Sequence, residues 1–473
     1  MKTRHLILVL LVIAICILSA GCSQPAKDNG QVTATVTTGI PVQPAAAGAL
    51  TPANLTPRVK KAVAYARENG KEKAIAAFND PQGQFVSGDT YIFAEAYDGT
   101  ALAEPFEHNI VGTNIRNLTD RYGLPLVRNL EETAGYGIGY VSYDYRNPKN
   151  NNTVEPKLSV VADVDGTYYV GAGTYASTGQ IYPSTVYVQP AKASTVTDLA
   201  TFVGEAANFA RKNGKENATA TFNDPQGPYA RSGMKIIALD YNGTVLASTI
   251  SPELPRDHIN LINYHDPDGV ATIREMRDLV RNGGGYSYTV TKVTRDGWDI
   301  FIPKIDYAEP IDGTWWLFSG ITVPGYEQLG TGNLTGIGIR NQTRGEAYDL
   351  LDQAADFAQK NGREKTLAEI NNPQGRFTNG NLFVWAESFD GTVLADPYWK
   401  EGIGKNFMNY TDRYGAKPTI TGINAIRSGN GFSHAMFADT TVQGSMPVPK
   451  LTCMKAIDDT WWIGSGIYGV QVT

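Results

Sequence analysis

One unit of about 147 residues occurs three times along the chain, and this repeat constrains the fold more than any other feature. A turn of sequence Asn-Asp-Pro-Gln-Gly, with Asn for Asp in its third copy, stands at 79–83, 223–227 and 371–375. A later Pro-Lys pair repeats at intervals of 147 and 146 positions, as Lys157, Lys304 and Lys450. Because one hydrophobic core rarely extends beyond about 250–300 residues, the 473-residue chain is predicted to form three tandem domains.

The three predicted domains span 55–178, 198–324 and 344–470, which we call copies one, two and three. Each opens with apolar residues at helical spacing, stopped by Asn-Gly, and continues with a short second helix. Next come two strands with alternating side chains, joined by an Asp-Gly or Asn-Gly hairpin turn. A helical arm and three further strands follow. This order predicts an α+β fold: a long N-terminal helix and a five-strand antiparallel meander.

The N-terminus is typical of an export signal. Positive residues precede the apolar run Leu6–Ala20, which is shorter than the ~20 residues of a membrane span and suits a signal peptide. The small residues before Cys22 resemble a lipoprotein cleavage site, so residues 1–22 are predicted to be removed and Cys22 lipidated. The alternative is an uncleaved signal anchor with Cys22 incidental. The Ala-, Thr- and Pro-rich stretch 23–54 is predicted to be a flexible tether.

Composition and motifs exclude several functional classes. The net charge of −6 provides no basic face, so we expect no nucleic-acid partner. Once the signal is removed, Cys453 has no cysteine partner and is predicted to be a small core residue. No metal-ligand, phosphate-loop or nucleophile motif is found, so we expect neither a cofactor nor an enzyme. A glycan hydrolase remains a weak alternative, and it would need two facing carboxylates.

The ordered markers together resemble the extracellular Cache family, in its single-Cache, type-two branch. The resemblance rests on the Asn-Asp-Pro-Gln-Gly turn, the Asp-Gly-Thr hairpin, the Pro-Lys strand and the terminal Trp-Trp strand, which copy one replaces with Tyr168-Tyr169. It implies three PAS-like domains that bind organic acids, amino acids or amines on one sheet face. The family usually signals across a membrane within one chain; here we expect a separate transmembrane signalling partner, or simple ligand capture.

The first hairpin strand carries the candidate binding residues. In copy one Tyr91, Phe93 and Glu95 alternate with small aliphatic residues, and Phe383, Trp385 and Glu387 do the same in copy three. An aromatic face with one carboxylate suits a pocket that holds an ammonium group. The alternative is that both glutamates are solvated on an open face.

Two further positions are implied by the resemblance. Where the family often has a ligand-side His, copies one and three have Glu104 and Asp396, and copy two has Ser248. The alternative is that these acids only form turns. The family's strand Lys meets a ligand carboxylate, which implies that Lys157, Lys304 and Lys450 contact ligand; the alternative is a surface Lys or an internal salt bridge.

These observations lead to two hypotheses. The first is a lipid-anchored, extracytoplasmic membrane protein that senses or captures a small acid or amine. The second is a structural or adhesive surface protein whose pockets are filled by side chains. Copy two lacks the acids but keeps Lys304, so it should prefer a plain acid or act as a spacer.

Overall fold

The computed structural model describes residues 52–177, 194–230, 233–295, 297–442 and 444–473. The predicted signal segment 1–22, with Cys22, lies outside these residues. The predicted tether overlaps the first helix, which begins at Pro52. No helix in the described part of the chain combines the length and apolar character that a bilayer span requires.

Each copy has helices followed by a sheet. Copy one contains helices α1 (Pro52–Asn69), α2 (Lys71–Phe78) and α3 (Leu126–Gly135), with strands β1 (Val86–Ser87), β2 (Thr90–Ala96), β3 (Ala101–Ala103), β4 (Ile138–Asn147), β5 (Thr153–Asp163) and β6 (Tyr168–Tyr175). Copy two contains α4 (Val196–Phe222), α5 (Glu253–Arg256) and α6 (Thr272–Arg281), with β7 (Ile237–Asp240), β8 (Val245–Ser248), β9 (Ile259–Asn263), β10 (Gly285–Arg295), β11 (Trp298–Pro310) and β12 (Trp315–Thr322). Copy three contains α7 (Arg344–Asn361), α8 (Arg363–Ile370) and α9 (Pro418–Arg427), with β13 (Thr378–Asn379), β14 (Leu382–Ser388), β15 (Val393–Ala395), β16 (Phe432–Ala438), β17 (Pro447–Ala456) and β18 (Trp461–Tyr468).

The repeated Asn-Gly pairs interrupt the first helix as predicted. Gly70, Gly214 and Gly362 all have φ near +80°, which a residue with a side chain rarely adopts. The helices of copies two and three begin at capping boxes, Thr195 with Asp198 and Thr343 with Glu346. Each box satisfies backbone N–H groups that would otherwise have no partner in the first turn.

The sheets are not meanders, and that prediction was wrong. In copy one the strand order is β3-β2-β6-β5-β4. Strand β6, the last in the sequence of this copy, thus lies between the β2–β3 hairpin and the pair β4–β5. Copies two and three repeat it as β8-β7-β12-β11-β10 and β15-β14-β18-β17-β16. Every residue of β6 is buried, so this strand is covered on both faces and suits the centre of a sheet.

The two faces of the sheet bury different residues. In copy one Ile92 and Ala94 join α1 in one apolar cluster, whereas Tyr91 and Phe93 join α3 in another. In copy three Val384 and Ala386 pack with α7, whereas Phe383 and Trp385 lie on the opposite side. The predicted alternation of the hairpin strand is therefore confirmed, and so is the burial of Cys453 in β17.

Copy two contributes a strand to the sheet of copy one. Strand β9 pairs in parallel with β4, with Ile138 opposite Ile259, so the first sheet is not wholly antiparallel as predicted. A Cβ on Gly139 would lie 2.4 Å from the Asn260 carbonyl oxygen, so only glycine permits this approach. The side-chain amide of Asn263 also donates to the Asn129 carbonyl at 3.1 Å. The pairing joins segments about 120 positions apart in the sequence, which local pattern cannot predict.

Buried charges join copies two and three. Arg340, which lies just before copy three and donates to the Gly469 carbonyl of that copy at 3.0 Å, also donates two hydrogen bonds of 2.9 Å to the Asp268 carboxylate. The Arg340 and Asp268 side chains are almost fully buried. His434 Nε2 lies 2.7 Å from Asp266 Oδ2, and its Nδ1 lies 3.8 Å from Asp268 Oδ2. We call Asp266, Asp268, Arg340 and His434 the junction cluster.

Candidate ligand site

A cavity of about 90 Å³ lies beside the sheet of copy three. Phe383, Trp385 and Glu387 line it from β14, in the alternation that the sequence predicts. Aromatic side chains from other elements, among them Phe437 and Trp462, complete the wall. A water molecule needs about 10–15 Å³ of such space, so this cavity has room for a small ligand of several heavy atoms.

Lys450 reaches into the cavity from β17. It is 7% exposed, and its Nζ lies 4.1 Å from the ring centroid of Trp385, with Phe437 and Tyr468 at 5.2 and 4.9 Å. A Cβ on Gly466 would lie 2.1 Å from Lys450 Cε, so the glycine makes room for the chain. Within the described residues the Lys450 ammonium forms no ion pair, so an anionic group in the cavity would find a buried cation available.

Two acids face the same space. Burial raises the pKa of Glu387 to about 7, although the nearby Lys450 opposes this effect. Burial also raises the pKa of Asp396, whose Oδ1 accepts backbone N–H groups of Tyr398 and Trp399 at 2.8 and 2.7 Å. Asp396 thus forms a turn, as the alternative reading of this residue supposed, and it lines the cavity as well.

Several buried polar atoms in this wall have no partner in the described structure. They are Glu387 Oε2, Thr440 Oγ1, Trp462 Nε1 and Tyr468 OH. Leaving a buried polar group unsatisfied costs about 1–3 kcal/mol. A bound molecule with donors and acceptors would remove that cost, which is the strongest mark of a site in this part of the chain.

Copy one has the same framework but little space. Its Lys157 is 3% exposed and lies inside a cage of five aromatic rings. The ring centroids stand between 4.8 and 5.9 Å from Nζ and belong to Tyr91, Phe93, Tyr143, Tyr145 and Tyr175. The remaining cavity is about 20 Å³, enough for about one water molecule.

The acids of copy one are buried, so they are not solvated on an open face. Glu95 accepts a hydrogen bond from the Tyr169 hydroxyl, and burial raises its pKa to about 7. Burial raises the pKa of Glu104 to about 8, and its Oε1 has no partner among the described residues. The polar groups of copy one thus largely satisfy one another.

Two positions account for the difference in space. Tyr143 pairs with Lys157 across β4 and β5, and the residue that pairs with Lys450 in the same way is Ala435. Leu130 on the arm helix of copy one corresponds to Gly422 in copy three, each ten positions after the Asp of an Asp-Arg-Tyr-Gly turn. Two large side chains therefore fill in copy one the volume that copy three leaves open.

Residues 45–179 match the family model described as single Cache domain 2. This stretch is a single Cache domain of the second type. Copies two and three lie beyond the matched residues. No curated protein is a significant match to the chain.

Several solved structures are similar to parts of the chain. A methyl-accepting chemotaxis protein from Vibrio parahaemolyticus is 19% identical and covers 26% of this chain and 86% of its own, with a TM-score of 0.24. A Cache chemosensory domain described for carboxylic acid recognition is 19% identical and covers 26% of this chain and 81% of its own, with a TM-score of 0.21. The ligand-binding domain of chemoreceptor CtaA from Pseudomonas fluorescens, solved with L-isoleucine, is 14% identical. It covers 57% of this chain and 82% of its own, with a TM-score of 0.16.

Copy two differs from the Cache domain of copy one on its pocket side. Leu239 replaces the glutamate, and Phe318 stands where copy three has Gly464. Trp316 and Phe318 stack with centroids 5.7 Å apart and join the apolar core. Lys304 is only partly buried, whereas Lys157 and Lys450 are buried. These contacts favour the spacer expectation for copy two.

Sequence reasoning missed several residues of the copy-three wall. Trp462 was visible only as a repeat marker, and Tyr468 and Thr440 carried no signal. Register could have found Trp462, because it lies directly opposite Glu387. The sequence did not show that the small residues Ala435 and Gly422 leave space in the cavity, because this depends on which side chains face them in the fold.

Proposed function

We propose that this protein is a small-molecule sensory or capture protein whose working site is the cavity of copy three. The observation that carries the proposal is a buried Lys450 ammonium that forms no ion pair with the described residues. It lies in an aromatic cavity whose wall holds polar atoms without a partner in the same part of the chain. Its ligand is a small metabolite with a carboxylate or an amine. The match of residues 45–179 to single Cache domain 2 supports this class, because the resemblance to that family implies binding of small organic acids, amino acids or amines.

The proposal extends the Cache assignment to all three copies. The repeated turn, Pro-Lys and aromatic-pair markers support it, as does the strand order common to the three sheets. The copies would then be PAS-like domains of one ancestry with unequal pockets.

We further propose that the protein lies outside the cytoplasm, held to the membrane by lipid on Cys22. A separate transmembrane partner would carry any signal. Catalysis forms no part of this proposal.

A structural role is the second candidate, and specific observations favour it for copies one and two. Their pocket sides are filled by their own side chains, with Lys157 caged in copy one and Phe318 packed in copy two. In that case the first two copies serve as a stalk, and copy three alone binds ligand.

Thermal unfolding with a panel of amines, amino acids and short carboxylic acids tests the proposal. A ligand at 100 times its Kd adds about 2.7 kcal/mol, which raises the melting temperature by roughly 5–10 °C for a unit of 150–250 residues. Lys450→Met should abolish the shift, because it removes the cation and keeps the chain length. Lys157→Met is the matched control in copy one and should leave the shift intact.

A second variant tests the cavity without changing a charge. Ala435→Tyr places in copy three the residue that fills copy one, so it should eliminate binding while the protein still folds. Retention of the ligand shift by both Ala435→Tyr and Lys450→Met would disprove the assignment to copy three.

A further inference from the structure

Copies two and three exchange equivalent contacts at their interface. Tyr288 of β10 donates a 2.6 Å hydrogen bond to Asp412 Oδ2, and both residues are buried. In the opposite direction, His434 of β16 lies 2.7 Å from Asp266 Oδ2. Tyr288 and His434 each pair with the residue that follows the repeated Pro-Lys, so they occupy the same position of the repeat. The two contacts are therefore related as in an isologous dimer interface, where equivalent surfaces meet.

The two aspartates of this exchange are equivalent as well. In Asp266 and in Asp412, Oδ1 accepts the backbone N–H groups two and four positions later at 2.9–3.0 Å, whereas Oδ2 meets the other copy. The position of Tyr288 and His434 is occupied by Ser142 in copy one. Because the side chain at this position differs in every copy, repetition of the unit does not by itself explain the contact between Tyr288 and Asp412.

Asp412 belongs to a segment that forms part of the copy-three cavity wall. Residues 396–417 join β15 to α9, and we call them the β15–α9 loop. Trp399, Phe407 and Tyr410 of this loop line the cavity, with successive ring centroids 4.9 and 6.0 Å apart. Tyr410 stands two residues before Asp412, so a hydrogen bond to the Asp412 carboxylate holds one end of this aromatic wall.

The end of the loop packs on copy two. Ala416 and Tyr288 belong to the same apolar cluster, which is built mainly from copy two, and Tyr414 packs against it. A Cβ on Gly415 would lie 2.7 Å from Cδ2 of Tyr286, so the loop approaches β10 closely. Equivalent elements also meet across the interface, α6 with α9 and β10 with β16. Copy two therefore supports this end of the cavity wall.

We propose that copy two controls the ligand affinity of copy three through Tyr288, a positioning residue that acts on the cavity from another copy. This inference rests on the proposed function and assigns a regulator to its site. While Tyr288 holds Asp412, the β15–α9 loop keeps its aromatic side chains at the cavity. A movement of copy two that breaks this bond releases the loop, and the apparent affinity falls with the fraction of molecules that remain competent to bind. By linkage, ligand in copy three strengthens the hold of copy two on the loop by the same factor.

Tyr288→Phe tests this in the full protein, because it removes the hydroxyl and keeps the ring. The probes for calorimetry are 3-phenylpropionate, L-phenylalanine and phenethylamine, which represent acids, amino acids and amines. We expect each probe that binds the parent to bind Tyr288→Phe at least about fivefold more weakly, the lower end of common coupling factors. Tyr286→Phe is the matched control on the same strand. Its hydroxyl donates to the Val196 carbonyl within copy two, so its loss should leave the affinity unchanged.

Hydrogen exchange distinguishes control of the loop from a general loss of stability. Without probe, the amides of residues 399–416 should exchange at least about fivefold faster in Tyr288→Phe than in the parent. The equivalent residues 107–124 of copy one should keep their rates. At saturating probe, β10 should gain protection in the parent and not in Tyr288→Phe, a difference that a merely structural contact would not produce. Asp412→Asn changes the acceptor instead, and the double variant should bind the probe no more weakly than the worse single variant.

The outcomes separate this inference from the proposed function. If a probe binds Tyr288→Phe as tightly as the parent, control by copy two is refuted while the ligand site stands, whatever the exchange rates of the loop. If Tyr286→Phe weakens the probe as much as Tyr288→Phe does, the effect is a general loosening of β10, and the inference again fails alone. If none of the three probes binds the parent, the proposed function fails for these classes and the inference fails with it.

Discussion

Replacing Asp268 by Asn should destabilise the packing of copies two and three strongly. Asp268 accepts two hydrogen bonds of 2.9 Å from Arg340, and the two side chains are 1% and 5% exposed. Asn keeps the size but removes the charge, which leaves Arg340 buried without its carboxylate. Breaking a buried pair in this way costs about 3–5 kcal/mol.

The melting temperature converts this cost into a measurable quantity. A unit of 150–250 residues loses about 2–4 °C for each kcal/mol, so we expect Asp268→Asn to lower the melting temperature by about 10 °C. Tryptophan fluorescence and circular dichroism should report the same transition if copies two and three unfold together.

Asp257→Asn is the matched control. Asp257 accepts a 2.8 Å hydrogen bond from Lys60, and this pair also joins two copies, but the lysine is 47% exposed. Exposed pairs contribute about 0–1 kcal/mol, so this variant should melt within about 4 °C of the parent. Equal melting of the two variants would show that the junction cluster does not hold the copies together, and the reasoning from burial would be refuted.

Three further predictions concern pH and space. Burial lowers the pKa of His434, but the carboxylates of Asp266 and Asp268 outweigh burial and raise this pKa. The contribution of His434 to stability is therefore full below about pH 6.5 and is lost as pH rises through the higher folded pKa. Denaturant titrations from pH 6 to 9 should show this loss in the parent and not in His434→Gln. The affinity of copy three for an amine-bearing ligand should fall as pH drops below about 7, where Glu387 takes up a proton. Calorimetry at pH 6 and 8 should find no such dependence in Glu387→Gln. Gly466→Ala places a Cβ 2.1 Å from Lys450 Cε, so it should displace the flexible Lys450 side chain and weaken ligand binding at least tenfold in calorimetry. Gly173→Ala is its counterpart beside Lys157 in copy one and should leave the affinity unchanged.

Much of the local structure could be predicted from the chain alone. The Asn-Gly stops, the hairpin turns and the alternation of Tyr91 and Phe93 depend on neighbouring residues and on the period of a strand. The candidate lysines were recognisable because they recur at the same place in all three copies, and the candidate acids because they recur in copies one and three. The strand order was not recognisable, because it depends on pairing between residues far apart in the sequence.

The sequence by itself determined that one unit is used three times and which face of its hairpin carries aromatic and acidic side chains. Only the tertiary structure decided which copy is open. Cavity volume depends on side chains from separate elements that meet at one point: Tyr143 and Leu130 close copy one, whereas Ala435 and Gly422 leave space in copy three. Long-range pairing likewise decided that β9 completes the sheet of copy one and that Asp268 lies beside Arg340. Packing adds volumes and charges across distant segments, and no local pattern contains that sum.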